Sequence, residues 1–167
     1  DALGRYYFMP HDGRVEQLRG SGVADTEFRS ALAAVKGKVY LFVDTCRAAS
    51  IAGITGAGGE VTRIDTDVSR VVNDLSAPEH GVQVLAASSG RQDSLENPAW
   101  GNGAFTKAVV EGLNGLADQQ PKDGAITFNK LDRFVGVEVR RLTSGRQTPV
   151  ALTPRGGQTK SLLALVP

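Results

Sequence analysis

Two continuous runs of apolar, β-branched and aromatic residues most constrain the fold of this chain. Residues Lys38–Asp44 read KVYLFVD and residues Val82–Ala87 read VQVLAA. Such runs are typical of strands covered on both faces, as in a parallel sheet. Between them, Ile64–Leu75 carries its apolar residues on one stripe, which predicts a helix. This order of strand, helix and strand predicts a right-handed parallel unit whose two strands end at the same edge of the sheet.

The rest of the chain continues the alternation of strands and helices. Apolar residues at helical spacing and the positions of capping residues, glycine and proline define further elements. They are, in chain order, a short strand over Tyr6–Met9, a helix from Asp25 or Thr26 to about Gly37, and helices over about Asn102–Leu113 and Thr127–Leu142. The sequence therefore predicts one domain of the α/β class.

Charge and hydropathy exclude several classes of function. Nineteen Lys and Arg residues against eighteen Asp and Glu residues give a net charge of +1, which provides no field to concentrate nucleic acid. The longest apolar runs, such as Val39–Val43 and Leu162–Val166, are far shorter than the ~18 residues that a membrane span needs. One cysteine excludes an internal disulfide and any site built from several cysteines.

A glycine-rich segment separates the first buried run from the predicted helix that follows. Glycines gather in Gly53–Gly59, and few apolar residues anchor the chain there. We therefore expect residues 52–64 to form a flexible linker that is open to proteolysis, with Arg63 as the favoured cleavage site.

Candidate chemistry lies just after the first buried run. Ligands bind at the carboxyl ends of parallel strands, where Asp44 and Cys46 follow. Cys46 is either a nucleophile or a small buried apolar residue, and its position alone favours neither. Asp44 favours a cleft, because an unpaired carboxylate is costly to bury. Neither histidine fits as the base: His80 precedes its strand and so lies at the opposite edge, and His11 follows Pro10 in a polar loop.

Several motifs resemble those of caspase-like cysteine peptidases, in that family's order and over nearly the whole chain. Residues 39–48 (VYLFVDTCRA) look like the strand that carries the nucleophile, and residues 6–12 (YYFMPHD) are similar to the strand after the catalytic His-Gly loop. The small-subunit half of bacterial metacaspase-like members is matched by residues 86–89, by Gln92, Ser94 and Glu96, and by residues 103–106, 123–127 and 147–149.

The resemblance implies a fold and an activity. The fold would be a caspase-type three-layer sandwich, a mostly parallel sheet with helices on both faces. The activity would be that of a cysteine endopeptidase needing no cofactor, with Cys46 as the nucleophile and Asp44, Ser88 and Glu96 binding the substrate. Asp44 and Glu96 place negative charge where aspartate-specific caspases carry glutamine and arginine, which implies protein or peptide substrates cleaved after Arg or Lys.

One departure keeps other readings open. The family's His-Gly pair is absent, and its histidine would fall about 50 residues before Cys46, near or before residue 1. We therefore expect residues 1–167 to be a single caspase-like domain lacking its N-terminal part, with the histidine supplied by an upstream segment. The alternatives are a catalytically dead relative acting as a binding or scaffold module, and a structural domain with an inert cysteine.

No motif in the chain supports a metal site. The turn Asp123–Thr127 resembles the central turn of an EF-hand calcium loop, but with Gly124 at position six of that loop, Gln119 and Pro121 stand where carboxylates should coordinate. Lys130 stands where the bidentate glutamate should be. Calcium bound by other acidic residues stays open.

Overall fold

The computed structural model describes residues 7–44, 82–88, 94–154 and 161–166. Its strands are β1 (Tyr7–Phe8), β2 (Val23–Ala24), β3 (Tyr40–Val43), β4 (Gln83–Ala86), β5 (Ala125–Thr127), β6 (Val150–Leu152) and β7 (Leu162–Leu165). Its α-helices are α1 (Leu18–Ser21), α2 (Asp25–Ala33), α3 (Ala104–Glu111) and α4 (Phe128–Leu142). The predicted helix after residue 63 and the predicted linker over residues 52–64 lie outside the described residues.

Strands β3 and β4 pair in parallel, as the sequence predicts. Tyr40 lies beside Gln83 and Val43 beside Ala86, so the two strands are in register and end together. The continuous apolar runs that predicted these strands therefore also predicted which of their ends meet.

The other strand pairs are antiparallel. Strand β6 pairs with the far side of β4 and makes it the central strand of a three-stranded sheet, while β1 pairs with β2 and β5 with β7. The α/β class is confirmed, but among the described strands one pair is parallel and three are antiparallel. The prediction of a mostly parallel sheet is not met there, because the strand–helix–strand order that predicts a parallel pair covers β3 and β4 and does not extend to the other strands.

The central strand is the most deeply buried. All four residues of β4 are buried, as expected for a strand covered on both faces. Strand β3 differs, since Phe42 keeps 36 % of its surface exposed. Among the described strands, β3 pairs with β4 alone and so lies at the edge of the three-stranded sheet.

Side chains of β4 alternate between two apolar clusters, one on each face of the sheet. Leu85 packs with α3 and α4, and Val84 packs on the opposite face with α2. The larger cluster is formed by Leu85, Ala87, Ala104, Phe105, Ala108, Val109, Ala117, Ile126, Phe128, Leu131, Val135 and Val139. The smaller contains Val43, Val82, Val84 and Ala86, with Phe28 and Leu32 of α2 packed against it.

The predicted helices α2, α3 and α4 are confirmed, with shifts of a few residues at their ends. Thr127 caps α4, because its hydroxyl accepts a hydrogen bond from the Lys130 amide at 3.3 Å. Helix α3 begins after Gly103 and continues into a wide π-type turn over Gly112–Leu116. Within the described ranges, no helix combines the length and apolar character needed to cross a membrane.

Gly112, which follows the last residue of α3, lies in close contact with α4. A Cβ atom at this position would lie 2.6 Å from Leu131 Cδ1 and 3.0 Å from Phe134 Cδ1. Leu131 is fully buried in the larger cluster, so it has no free space into which to move. Glycine at 112 therefore sets the distance between the two helices.

We expect Gly112→Ala to lower the free energy of unfolding by about 1–3 kcal/mol, because the added methyl group overpacks this contact. Gly136→Ala in α4 is the control, since a Cβ atom there meets nothing closer than Arg140 Nη2 at 3.7 Å. Alanine at 136 should instead stabilise the helix by roughly 0.5–1 kcal/mol. Urea unfolding measures both changes, and equal effects of the two substitutions would contradict the packing argument.

Candidate functional site

The candidate site lies at the edge where β3 and β4 end together. Asp44 follows the last residue of β3, and Ala87 follows the last residue of β4. The Ala87 amide donates to the Val43 carbonyl at 2.8 Å, so pairing extends to this edge. The Asp44 side chain is exposed there. The predicted position of Asp44 at the carboxyl end of a parallel pair is thus confirmed.

The start of α3 holds the Asp44 carboxylate. Thr106, in the first turn of the helix, donates its hydroxyl to Asp44 Oδ2 at 2.6 Å. Gly103 precedes the helix, and a Cβ atom there would lie 3.2 Å from the same carboxylate oxygen. Glycine at 103 therefore lets the carboxylate lie close to the backbone at the helix start.

A short extended segment brings Glu96 to the same place. The Leu95 carbonyl accepts a hydrogen bond from the Ala104 amide at 2.9 Å, and Glu96 pairs with Gly103 in an antiparallel bridge. Asn97 then turns the chain, because its side-chain oxygen accepts from the Ala99 amide at 2.9 Å. The segment carrying Glu96 is thus attached to the helix that holds Asp44.

These elements enclose a cleft of about 710 Å³. The charged side chains among its lining residues are the carboxylates of Asp44 and Glu96. Because no Lys, Arg or His stands among these described lining residues, the two carboxylates favour a positively charged ligand. The lining consists of Asp44, Glu96, Asn97, Pro98, Gly101, Asn102, Gly103 and Thr106.

The structure brings together two of the residues that the sequence assigned to substrate binding. Asp44 and Glu96 line the same cleft, although 52 positions separate them. Ser88 lies one residue beyond Ala87 at the same edge and is half-buried, but it is not among the residues that line the cleft. Cys46, the predicted nucleophile, lies outside the described residues.

Neither histidine is shown at the site. His11 is exposed on the turn after β1 and is not among the lining residues. His80 lies outside the described residues, as does Arg63, the predicted cleavage point.

Sequence reasoning assigned no role to two residues that organise the site. Thr106 and Gln147 both stand in motifs that carry the resemblance, over residues 103–106 and 147–149. Thr106 contacts Asp44, which lies 62 positions away along the chain. Gln147 contacts two main-chain groups, the Ala87 carbonyl and the Leu95 amide. Their place in motifs that follow the order of the family could have indicated a role for them. Their contact partners, however, are brought near only when the chain folds.

Within the described ranges, no group of three or more His, Cys, Asp or Glu side chains is placed to hold a metal ion. In the loop that resembles a calcium site, Asp118 and Asp123 contact a lysine instead. Lys130 Nζ lies 2.6 Å from Asp118 Oδ1 and 2.5 Å from Asp123 Oδ1, and it donates to the Ala125 carbonyl at 2.8 Å. The Asp118 side chain is 3 % exposed and that of Lys130 is 10 % exposed, so this pair is buried.

The ion pairs shift the pKa values of all three groups. Hydrogen bonds from Lys130 hold the pKa of Asp118 and that of Asp123 below their usual range. Burial alone would lower the pKa of Lys130, but its hydrogen bonds to Asp118 and Asp123 raise it above its usual value. The cluster is therefore fully charged over a wide range around neutral pH.

Comparison of the chain with models of protein families, with curated proteins and with solved structures found no match.

We expect Lys130→Met to lower the melting temperature at neutral pH, because it leaves the buried Asp118 carboxylate without its cation. The aspartates bind protons less readily when folded, so their stabilising effect is lost as pH falls below about 4. The stabilising effect of Lys130, which binds its proton more tightly when folded, is lost as pH rises above about 10. Thermal unfolding from pH 3 to 10 should show the largest difference between wild type and variant near neutral pH.

Lys107→Met is the control for this experiment, because Lys107 pairs with Glu111 one helical turn away, at 2.5 Å, and both side chains are more exposed than those of Lys130 and Asp118. Such partly exposed pairs contribute little, so its melting temperature should stay closer to that of wild type. A loss for Lys130→Met that stayed constant down to pH 3 would count against the ion-pair explanation.

We expect Thr106→Val to lower the free energy of unfolding by about 1 kcal/mol, because Asp44 loses the hydroxyl that donates to it. Thr106→Ser keeps the hydroxyl and should retain most of the stability. Urea unfolding of the two variants checks this, and a serine variant as weakened as the valine variant would show that the methyl group matters more.

Proposed function

We propose that the chain is the domain of a cysteine endopeptidase that cleaves peptide bonds after Arg or Lys. The observation that carries the proposal is the acidic cleft at the carboxyl end of the parallel β3–β4 pair. Asp44 and Glu96 both line it, and the lone cysteine follows Asp44 by two residues in the sequence. Both carboxylates were assigned to substrate binding from the sequence alone.

The cleft supports selection of a basic side chain. A guanidinium or ammonium group entering between Asp44 and Glu96 would form charge-assisted hydrogen bonds with the carboxylates. The Thr106 hydroxyl donates a hydrogen bond to Asp44 Oδ2 at 2.6 Å, and this bond fixes the orientation of the carboxylate. An aspartate side chain in the same position would be repelled by both carboxylates.

The reaction follows from the chemistry of a thiol nucleophile. The Cys46 thiolate attacks the carbonyl carbon of the scissile bond, and the carbonyl oxygen takes the negative charge. Collapse of this intermediate breaks the C–N bond, and a histidinium protonates the departing amine. Water then attacks the thioester, with the same histidine taking its proton, and releases the acid and the thiolate. In this proposal the histidine belongs to a segment upstream of residue 1.

The proposal includes the finer architecture, a caspase-type three-layer sandwich. The parallel β3–β4 pair and the apolar clusters on both faces of β4 support it. The alternative, a catalytically dead relative that binds basic peptides, would use the same cleft without Cys46 chemistry. Hydrolysis of a peptide by the wild-type protein therefore distinguishes the endopeptidase from the catalytically dead relative.

The test compares two fluorogenic peptides that differ only in Arg or Asp at the cleaved position. The protein is expressed with its natural upstream sequence, as wild type and as Cys46→Ala. We expect wild type to hydrolyse the Arg peptide preferentially and Cys46→Ala to lose hydrolysis while keeping its melting temperature. Turnover by Cys46→Ala would exclude the cysteine mechanism. Absence of turnover and of Cys46 alkylation in wild type would favour the binding module.

Asp44→Asn tests the specificity. Loss of one charge-assisted hydrogen bond of about 1.5–3 kcal/mol should lower kcat/KM for the Arg peptide by roughly ten- to a hundredfold. Asp12→Asn is the matched control, since Asp12 is an exposed aspartate that does not line the cleft. An Arg preference unchanged by Asp44→Asn would contradict the role of Asp44.

A further inference from the structure

The side chain of Gln147 joins two parts of the chain that border the cleft. Its Nε2 donates to the Ala87 carbonyl at 3.0 Å, and its Oε1 accepts from the Leu95 amide at 2.9 Å. The side chain is fully buried, so both ends of its amide are used within the protein. A single planar group thus spans from the end of β4 to the segment that carries Glu96.

The backbone of Gln147 is itself fixed to α4. The Gln147 amide donates to Thr143 Oγ1 at 3.2 Å, and that hydroxyl donates to the Val139 carbonyl at 2.7 Å. Thr143 is fully buried at the end of α4. Because α4 packs through the larger apolar cluster, Gln147 is attached to a helix that the core holds in place.

The two main-chain groups held by Gln147 are neighbours of the two carboxylates. Leu95 precedes Glu96, and its carbonyl is bound by the Ala104 amide at the start of α3. Ala87 is bound to Val43, which precedes Asp44. We propose that Gln147 is a positioning residue that holds Glu96 opposite Asp44, so that the cleft selects a cationic side chain. The identity of the substrate rests on the proposed function, whereas the binding experiment that tests the role of Gln147 does not.

An amide suits this position better than other side chains of similar size. Glutamate could accept from the Leu95 amide, but its second carboxylate oxygen would face the Ala87 carbonyl without a proton to donate. Methionine has similar length and can form neither bond, so the part-buried Leu95 N–H and the buried Ala87 C=O both lose their partner. Gln147→Met therefore removes the link while largely preserving volume.

The test is a titration with agmatine, a small guanidinium compound, followed by NMR shifts of the Glu96, Asn97 and Thr106 amides. It uses the full chain as wild type, Gln147→Met and Val135→Ala. Val135 is a fully buried residue of α4 outside the Gln147 hydrogen bonds, so its truncation controls for lost stability. We expect agmatine to bind wild type and Val135→Ala alike, and to bind Gln147→Met about tenfold more weakly.

Two results would overturn the proposal: equal agmatine affinity in wild type and Gln147→Met, or no agmatine binding to the wild-type cleft. Should Gln147→Met fail to fold, hydrogen exchange of the wild-type Leu95 amide decides instead. Slow exchange supports the bond to Gln147, and exchange as fast as that of an exposed loop amide refutes it.

The peptidase assay separates this inference from the proposed function. In an active enzyme, Gln147→Met should raise KM for the Arg peptide while leaving kcat largely unchanged, which a general loss of stability would not produce. Wild type without turnover would count against the endopeptidase, whereas the agmatine titration would still decide the role of Gln147.

Discussion

The parallel pairing of β3 with the buried strand β4 is the constraint on which the cleft depends. Because the two strands run in the same direction and in register, the residues that follow them emerge at one edge. An antiparallel arrangement would place Asp44 and Ala87 at opposite ends of the sheet. The apolar clusters on both faces of β4 hold this geometry, so the position of Asp44 is determined by the core and not by its own loop.

Hydrogen bonds then orient the groups at the site, whose approximate positions the apolar core determines. The Thr106 hydroxyl orients Asp44, and the Gln147 amide ties the Leu95 segment to the end of β4. Hydrogen bonds are directional, whereas apolar packing is not, so these few contacts define angles that packing alone leaves loose. The cost of burying the Gln147 amide is offset because its nitrogen and its oxygen each form a hydrogen bond with the main chain.

Much of the fold could be predicted from the sequence because its signals are local. Apolar runs predict strands β3 and β4, and apolar residues at helical spacing predict helices α2, α3 and α4. The antiparallel pairs β4–β6 and β5–β7 could not be predicted, because no strand–helix–strand order of the kind that links β3 to β4 indicates their pairing. Likewise, Asp44 and Glu96 could be proposed from motifs, while the contact partners of Thr106 and Gln147 required the folded structure.

The lysine bound between Asp118 and Asp123 gives their loop a property that a metal site lacks. Lys130 is a cation attached covalently to the chain, so its local concentration near the carboxylates does not fall when the surroundings are diluted. A chelator has nothing to remove, and a change in divalent-ion level has no ligand equilibrium to shift. The loop that precedes α4 thus keeps its shape independently of the divalent-ion concentration around it.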